Sequence, residues 1–187
     1  MKHTSNDLRV RRTLKSIHEA FAELVLEEDY QNISITELTN RAEVNRKTFY
    51  LHYSSLDDLI HEIEEDTAKK ILAALDEEAE NLDVAGCVSK FYHYLDTASD
   101  VEKKLMCDPE YHKFYENVTD RILGSSVFQR FYDICEYPDV VRAFCVSITT
   151  IYRTWMSSYP DVKLDDIINY ANTLILQGYN AVPKKKL

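Results

Sequence analysis

"SITELTNRAEVNRKTFYLHY", Ser34 to Tyr53, reads as two short helices joined by a three-to-four-residue turn. "SITE" opens the first: the Ser34 hydroxyl is placed to accept the orphan N–H three residues on, and Glu37 to reach back to the cap. Ile35, Leu38 and Ala42 recur on one side and so face inward. The pattern breaks at Glu43-Val44, and Asn45 is a fair cap for a second helix ending near Tyr53. Turning that helix by about 100° per residue puts Arg46, Lys47, Tyr50 and Leu51 on one arc of roughly 140°, with Phe49 roughly 160° from Lys47. Phe49 and Asn45, flanked by Thr48 and His52, then point toward the preceding helices.

Upstream, Arg9 to Glu27 sets Leu14, Ile17, Phe21, Leu24 and Val25 on one helical stripe. Three helices with the last two short and tightly joined form a helix-turn-helix arrangement. A face with two cations and a phenol suits the major groove of DNA. Arg donates bidentately to guanine, Lys reaches guanine or phosphate, and a Tyr hydroxyl bonds phosphate while its ring packs on sugar or a thymine methyl. The alternative reading of the same spacing is an ordinary amphipathic helix with a solvated basic face.

"SITELTNRAEVNRKTFYLHYSSLDDLI" resembles the DNA-binding segment of TetR/AcrR-family transcriptional regulators. The family's hydroxylic cap, Ile/Leu-Ala pair, Ala-Gly-Val turn and T-[FL]-Y-x-H-[FY] helix are visible in Ser34, Leu38-Thr39, Ala42-Glu43-Val44 and Thr48 to Tyr53. The resemblance covers residues 9–65 well and the remainder only through helix count and length. It implies a DNA-binding set of Ser34, Thr36, Asn45, Arg46, Lys47, Thr48, Tyr50 and His52. Within it Thr36, Arg46, Lys47 and Tyr50 would contact bases or backbone, Thr48 and His52 would contact phosphate or brace the helix, and Phe49 and Tyr53 would anchor it. Two positions depart from the family. Glu43 stands where glycine usually takes a left-handed turn, and "SSL" at 54–56 replaces a Lys-x-Lys that grips phosphate.

Charge is divided along the chain. The first 53 residues balance Lys and Arg against Asp and Glu, so the net charge of −10 sits in the rest. An acidic balance repels DNA and anionic membranes, yet a local basic site survives because charges beyond a Debye length of about 8 Å are screened. Only 3 Gly and 4 Pro occur in 187 residues, which favours long helices over many short strands. Cys87, Cys107, Cys135 and Cys145 form no CxxC pair, so they read as buried free thiols of a reducing compartment, with no metal and no cofactor expected. "MKHTSNDLRVRR" has no apolar core, and no run of 18 apolar residues follows, so the expected location is the cytoplasm and no membrane partner is expected. The ending "VPKKKL" reads as a short cationic tail.

The predicted architecture is all-α with about nine helices: a three-helix DNA-binding domain over 1–53, then a helical regulatory and dimerisation domain over 54–187. A long helix follows Ser54-Ser55, carrying Leu56, Leu59, Ile60, Ile63, Ile71 and Leu75. Further helices are expected at 84–97, 100–106, 109–123, 126–135, 138–158 and 164–182, with breaks at "YPD" and "YPDVKLDD". The last two are apolar beyond one stripe and so need two partners. They imply a four-helix dimer interface from Phe144, Ile148, Ile151, Trp155, Ile168, Ala171, Leu174, Ile175 and Gly178. Aromatics crowd the middle, and Phe91, Tyr94, Tyr111, Phe114, Tyr115, Tyr152 and Trp155 are candidate walls for an apolar or aromatic effector, or else core.

Three functions compete on this pattern. The first is a homodimeric regulator, of repressor type, that binds a palindromic double-stranded operator and is released by the effector. The second keeps DNA binding but docks a protein partner instead of a small molecule. The third, an all-helical enzyme, has no Gly-rich phosphate loop, no Glu-x-x-His pair and no nucleophile-elbow motif to support it.

Overall fold

The structure, a computed structural model, describes residues 3–159 and 161–183. Pro160 of the expected break and Lys184 to Lys186 of the tail lie outside the described residues. Ten α-helices and one 3-10 turn follow one another with no strand among the described residues: α1 (His3–Glu27), α2 (Ile35–Arg41), α3 (Arg46–Phe49), α4 (Leu56–Glu80), α5 (Val84–Thr97), α6 (Asp100–Cys107), then the 3-10 turn Pro109–Tyr111, α7 (His112–Leu123), α8 (Ser126–Asp133), α9 (Pro138–Ser158) and α10 (Leu164–Ala181). The chain divides into two compact units, Met1–Ile63 and Glu64–Leu187, with the division inside α4.

Three local expectations are corrected. The helix expected over 109–123 begins as a 3-10 turn, because Pro109 lacks a donor and Asp108 caps Glu110 instead, so α7 starts only at His112. The helix expected to reach Tyr53 ends at Phe49: Leu51 and His52 donate to carbonyls three residues back, Thr48 and Phe49, and the coil tightens into turns. The capping box expected at Ser34 is half formed. Ser34 Oγ accepts from Glu37 N at 3.1 Å, while the exposed Glu37 carboxylate makes no return bond. The full box forms at Ser99 and Glu102, at the start of α6.

The first unit is built on the stripe expected for α1. Ile17, Phe21, Leu24 and Val25 are buried, joined by Leu38 and Ala42 of α2, Phe49 of α3, Tyr53, and Leu59 and Ile60 of α4. Arg41 fastens α2 to α1 through a two-pronged pair with Glu27 at 2.7 and 2.8 Å, with Glu23 at 3.4 Å. His18 Nε2 lies 3.0 Å from Tyr53 Oη, tying the chain after α3 back to α1. Ser54, through its N–H and hydroxyl, donates to Asp58, and Asp58 N donates to Ser55 Oγ, so the two serines close the first turn of α4. These bonds hold the Asp58 carboxyl below its ordinary range.

In the second unit α10 packs on α5 and α9, α8 on α9, and α6 on α7 and α9. Its centre is aromatic: the Tyr92 and Tyr152 rings lie 4.9 Å apart, and Tyr152 meets Trp155 edge-on at 5.3 Å. Tyr92 Oη donates to Ile148 O at 2.7 Å and Trp155 Nε1 to Val162 O at 2.9 Å, which satisfies the polar ends of otherwise apolar bodies. Glu64 is buried; its Oε1 accepts from Asn117 at 2.7 Å and Oε2 lies 3.6 Å from Arg121, fixing α4 against α7. No helix among the described residues is long and apolar enough to cross a membrane.

Candidate nucleic-acid interface and effector cavity

The turn between α2 and α3 shows how α3 is aimed. Glu43 has φ 53°, in the left-handed region. Its N–H donates to Asn40 O at 3.2 Å and the next, of Val44, to Thr39 O at 3.0 Å, the two crossed bonds of a Schellman closure. The backbone thus takes the glycine-like path with a side chain on it. Asn45 then starts α3, its Oδ1 accepting from Lys47 N at 2.8 Å. Thr39, fully buried, turns its hydroxyl back to Ile35 O at 2.8 Å and so costs the core no unpaired group.

α3 buries Phe49 completely and leaves Arg46, Lys47 and Tyr50 exposed. Arg46 Nη1 donates to Thr36 Oγ1 at 3.2 Å and Nη2 to Tyr50 Oη at 3.4 Å, with the guanidinium 6.0 Å from the Tyr50 ring centre. One cation therefore links α2 to α3 through neutral partners and keeps its charge. Arg41 contrasts with it: its two acids consume its charge, its pKa is driven up by the Glu27 carboxylate, and Glu27 is held down in turn. Neither Arg46 nor Lys47 makes an ion pair among the described residues. Of the other residues in the expected set, Ser34 is exposed with its hydroxyl used as a cap, Asn45 is exposed and caps α3, and Thr48 and His52 are half-buried flanks. The flank of α2 that carries Ser34 and Thr36 also carries Glu37, Asn40 and Glu43, so acids border the basic face.

The second unit holds a cavity of about 60 Å³ walled by α4, α5, α7, α8, α9 and α10. Its lining is Leu75, Val84, Cys87, Val88, Phe91, Thr119, Ile122, Leu123, Phe128, Phe131, Val141, Phe144, Cys145, Ile148, Thr149 and Ile175. Phe91 is the one member of the seven expected effector residues that lines it. Tyr111, Phe114, Tyr115, Tyr152 and Trp155 are buried packing residues, and Tyr94 donates to Glu102 at 3.3 Å. Tyr115 is an example: its hydroxyl bonds Thr149, and Arg153 lies over its ring at 4.2 Å. The cavity wall is drawn from apolar positions of six helices. The signal that would have found it is apolar stripes in excess of one per helix, not aromatic content.

Two of the four thiols, Cys87 and Cys145, face this cavity, and burial pushes both up to about 12. Among the described residues no group of three or more His, Cys, Asp or Glu stands where it could hold a metal ion. Thr119 Oγ1 is buried in the wall without a hydrogen-bond partner.

The expected dimer residues divide by exposure. Trp155, Ile168, Ala171 and Ile175 are buried within the unit, and Phe144, Ile148, Ile151 and Gly178 are half-buried. Gly178 is small for a local reason: a Cβ there would come within 2.5 Å of the Phe144 ring. Leu174 is 63% exposed. Asn169, Tyr170, Thr173 and Gln177 of α10 and Ala143, Val146, Thr150 and Thr154 of α9 are exposed too, and none of these is charged.

No protein-family model matches the sequence. An uncharacterised helix-turn-helix-type transcriptional regulator of Bacillus subtilis, YxbF, is 35% identical over 60 residues, which is 32% of this chain and 16% of that protein. A TetR transcriptional regulator from Streptococcus agalactiae superposes with a TM-score of 0.70 at 21% identity, over 92% of this chain and 98% of that one. A TetR-family regulator from a Shewanella species gives 0.66 at 13% identity, over 93% and 99%. The dihydroxyacetone kinase operon activator DhaS gives 0.53 at 18%, over 91% and 97%. At these identities the likeness is one of architecture, and it extends along nearly the whole chain: the protein has the all-α fold of the TetR-family transcriptional regulators.

Proposed function

We propose that the protein is a cytoplasmic TetR-type transcriptional regulator that binds a palindromic double-stranded operator as a homodimer. The observation that carries the reading is the Arg46–Thr36–Tyr50 contact set beside Lys47, exposed on the second helix of a helix-turn-helix. Pre-positioned donors lose less freedom on meeting base edges than mobile ones do. In the dimer each head would lay α3 in a major groove, with half-site centres about 34 Å apart or slightly more. The exposed positions of α9 between Ala143 and Thr154 and of α10 between Asn169 and Gln177, none of them charged, support these helices as the shared surface, with Tyr170, Leu174, Val146 and Thr150 at its centre rather than the residues buried within the unit. Mutual burial of the two α10 faces removes apolar area from water at about 25 cal/mol per Å².

The effector part of the reading rests on the apolar cavity. An uncharged apolar or aromatic molecule held there would bear on α4, which runs from Leu56 in one unit to Glu80 in the other. Binding lowers operator affinity only to the extent that the effector prefers the geometry unable to bind DNA. A second reading is favoured by the cavity's size. Drug-sized ligands occupy roughly 300–1,000 Å³, so about 60 Å³ requires the Phe128, Phe131 and Phe144 rings to move before an effector fits. In that reading a protein partner supplies the signal, and the protein works as an activator of the co-activator-docking kind.

The test is selection from random duplex DNA by the wild-type protein and by the Arg46→Ala/Tyr50→Ala variant, with sedimentation mass measured alongside. A two-fold symmetric motif enriched by a dimer and lost in the variant is the expected result. A folded protein that enriches nothing at low salt overturns DNA binding, and a mass of one chain at micromolar concentration overturns the dimer.

A further inference from the structure

Leu51 is the most exposed large apolar side chain among the described residues, at 80%. It sits immediately after Tyr50, one helical turn from Lys47, and its N–H donates to Thr48 O at 3.2 Å, so the coil that carries the basic face continues through it. Nothing local accounts for a leucine there. Phe49 and Tyr53 are both buried and already fill the inward side of this coil, with Tyr53 bonded to His18 of α1. On the exposed arc Leu51 comes next to Lys47, with Tyr50 and Arg46 further round, so it is a single apolar group at the edge of a basic, hydrogen-bonding face and not part of an extended apolar patch.

That surround selects the occupant. A protein groove that accepted Leu51 would also have to desolvate the neighbouring cations, which is costly without acids to pair them. The major groove offers a matching pattern instead: a lone apolar group, the thymine C5 methyl, flanked by base-edge acceptors and phosphates. We propose that Leu51 is a specificity residue that reads a thymine in each operator half-site by packing on its C5 methyl. The proposal rests on the DNA-binding reading above and adds to it a base identity at one position. Arg46 and Lys47 supply affinity and guanine contacts; Leu51 supplies discrimination that carries no charge and so is insensitive to salt.

The experiment runs the selection twice on random duplex libraries, one made with thymine and one with uracil, which differ only in that methyl. Wild-type protein is expected to fix a T in each half-site from the first library and to lose preference at that position in the second. Leu51→Ala, at an exposed site where folding is unaffected, is expected to give the same relaxed motif from both. On the selected duplex, replacing that thymine by deoxyuridine should weaken wild-type binding about fourfold per half-site and leave Leu51→Ala unchanged; about fourfold is the tenfold-per-1.4-kcal/mol equivalent of roughly 0.8 kcal/mol per buried CH₂-sized group. Binding that tolerates uracil at every position overturns the proposal, as does an equal penalty in Leu51→Ala, which would assign the methyl to Tyr50. A wild-type protein that binds no DNA removes the underlying reading itself, and the two failures are told apart by that first titration.

Discussion

Replacing Glu43 by glycine should stabilise the protein, and the size of the gain is set by one backbone angle. At φ 53° a residue with a Cβ crowds its own carbonyl, at a cost of roughly 1–2 kcal/mol that glycine does not bear. Glycine loosens the unfolded chain, which returns roughly 0.4–1 kcal/mol. The net expectation is a gain of about 1 kcal/mol. Glu43→Ala keeps the Cβ and should leave stability near wild type. The comparison of the two variants therefore isolates the strain from the charge, since both remove the carboxylate. Urea unfolding followed by circular dichroism reads the difference as a shifted midpoint at constant slope. On the DNA side the order changes: both variants remove an acid bordering Ser34 and Thr36, and both should bind non-specific duplex more tightly by a similar factor. Alanine stabilising as much as glycine, or glycine destabilising, would refute the strain argument and leave the Schellman geometry without the energetic cost assigned to it.

Thr119→Val should raise stability by about 1 kcal/mol, since it deletes a buried hydroxyl with no partner while nearly preserving shape; a loss in urea unfolding would mean that the hydroxyl is satisfied by water in the cavity. Alkali should destabilise the protein from about pH 9.0 upward. Cys87 and Cys145 are raised to about 12 by burial, so the unfolded chain loses its thiol protons first and the stabilisation present below pH 9.0 is lost as pH climbs toward 12. Burial also raises Tyr92, Tyr94 and Tyr152, so Cys87→Ala/Cys145→Ala should flatten the fall in unfolding midpoint between pH 9 and 10 while a decline remains above it; an unchanged slope there refutes the assignment.

Which helices form, and where most of them stop, was legible in the sequence because those decisions are made within one helical turn. The α5 and α9 spans and the α10 start follow from apolar spacing together with the breaks at "YPD" and "YPDVKLDD". The stripe of α1 and the inward Leu38, Ala42 and Phe49 follow likewise, whereas Asn45, expected to point inward, is exposed as the cap of α3, and the left-handed turn at Glu43 was indicated by the family resemblance rather than by local pattern. What local pattern misplaced were ends governed by weaker alternatives. Residues 50–53 could continue the helix or tighten, and Pro109 could cap a helix or begin a 3-10 turn.

Tertiary structure alone decided what each long-range surface is for. Tyr111, Tyr152 and Trp155 look the same in sequence as ligand-binding aromatics; in the structure all three are buried, with Tyr92 of α5 packed on Tyr152, Lys104 of α6 against the Tyr111 ring, and Val162 accepting from Trp155. The cavity wall draws on six helices, mostly at apolar positions but also at Thr119 and Thr149, so a surplus apolar stripe on any one helix does not by itself mark which of its positions join the wall. The apolar surplus of α9 and α10 did not say which positions are covered within the unit: packing buried Ile168, Ala171 and Ile175 and left Tyr170 and Leu174 in water. The physical reason is range. Caps, turns and periodic faces are settled by interactions among near neighbours in the chain, whereas burial, cavity shape and the exposure of Leu51 depend on which other helices arrive, and that information is spread over the whole chain.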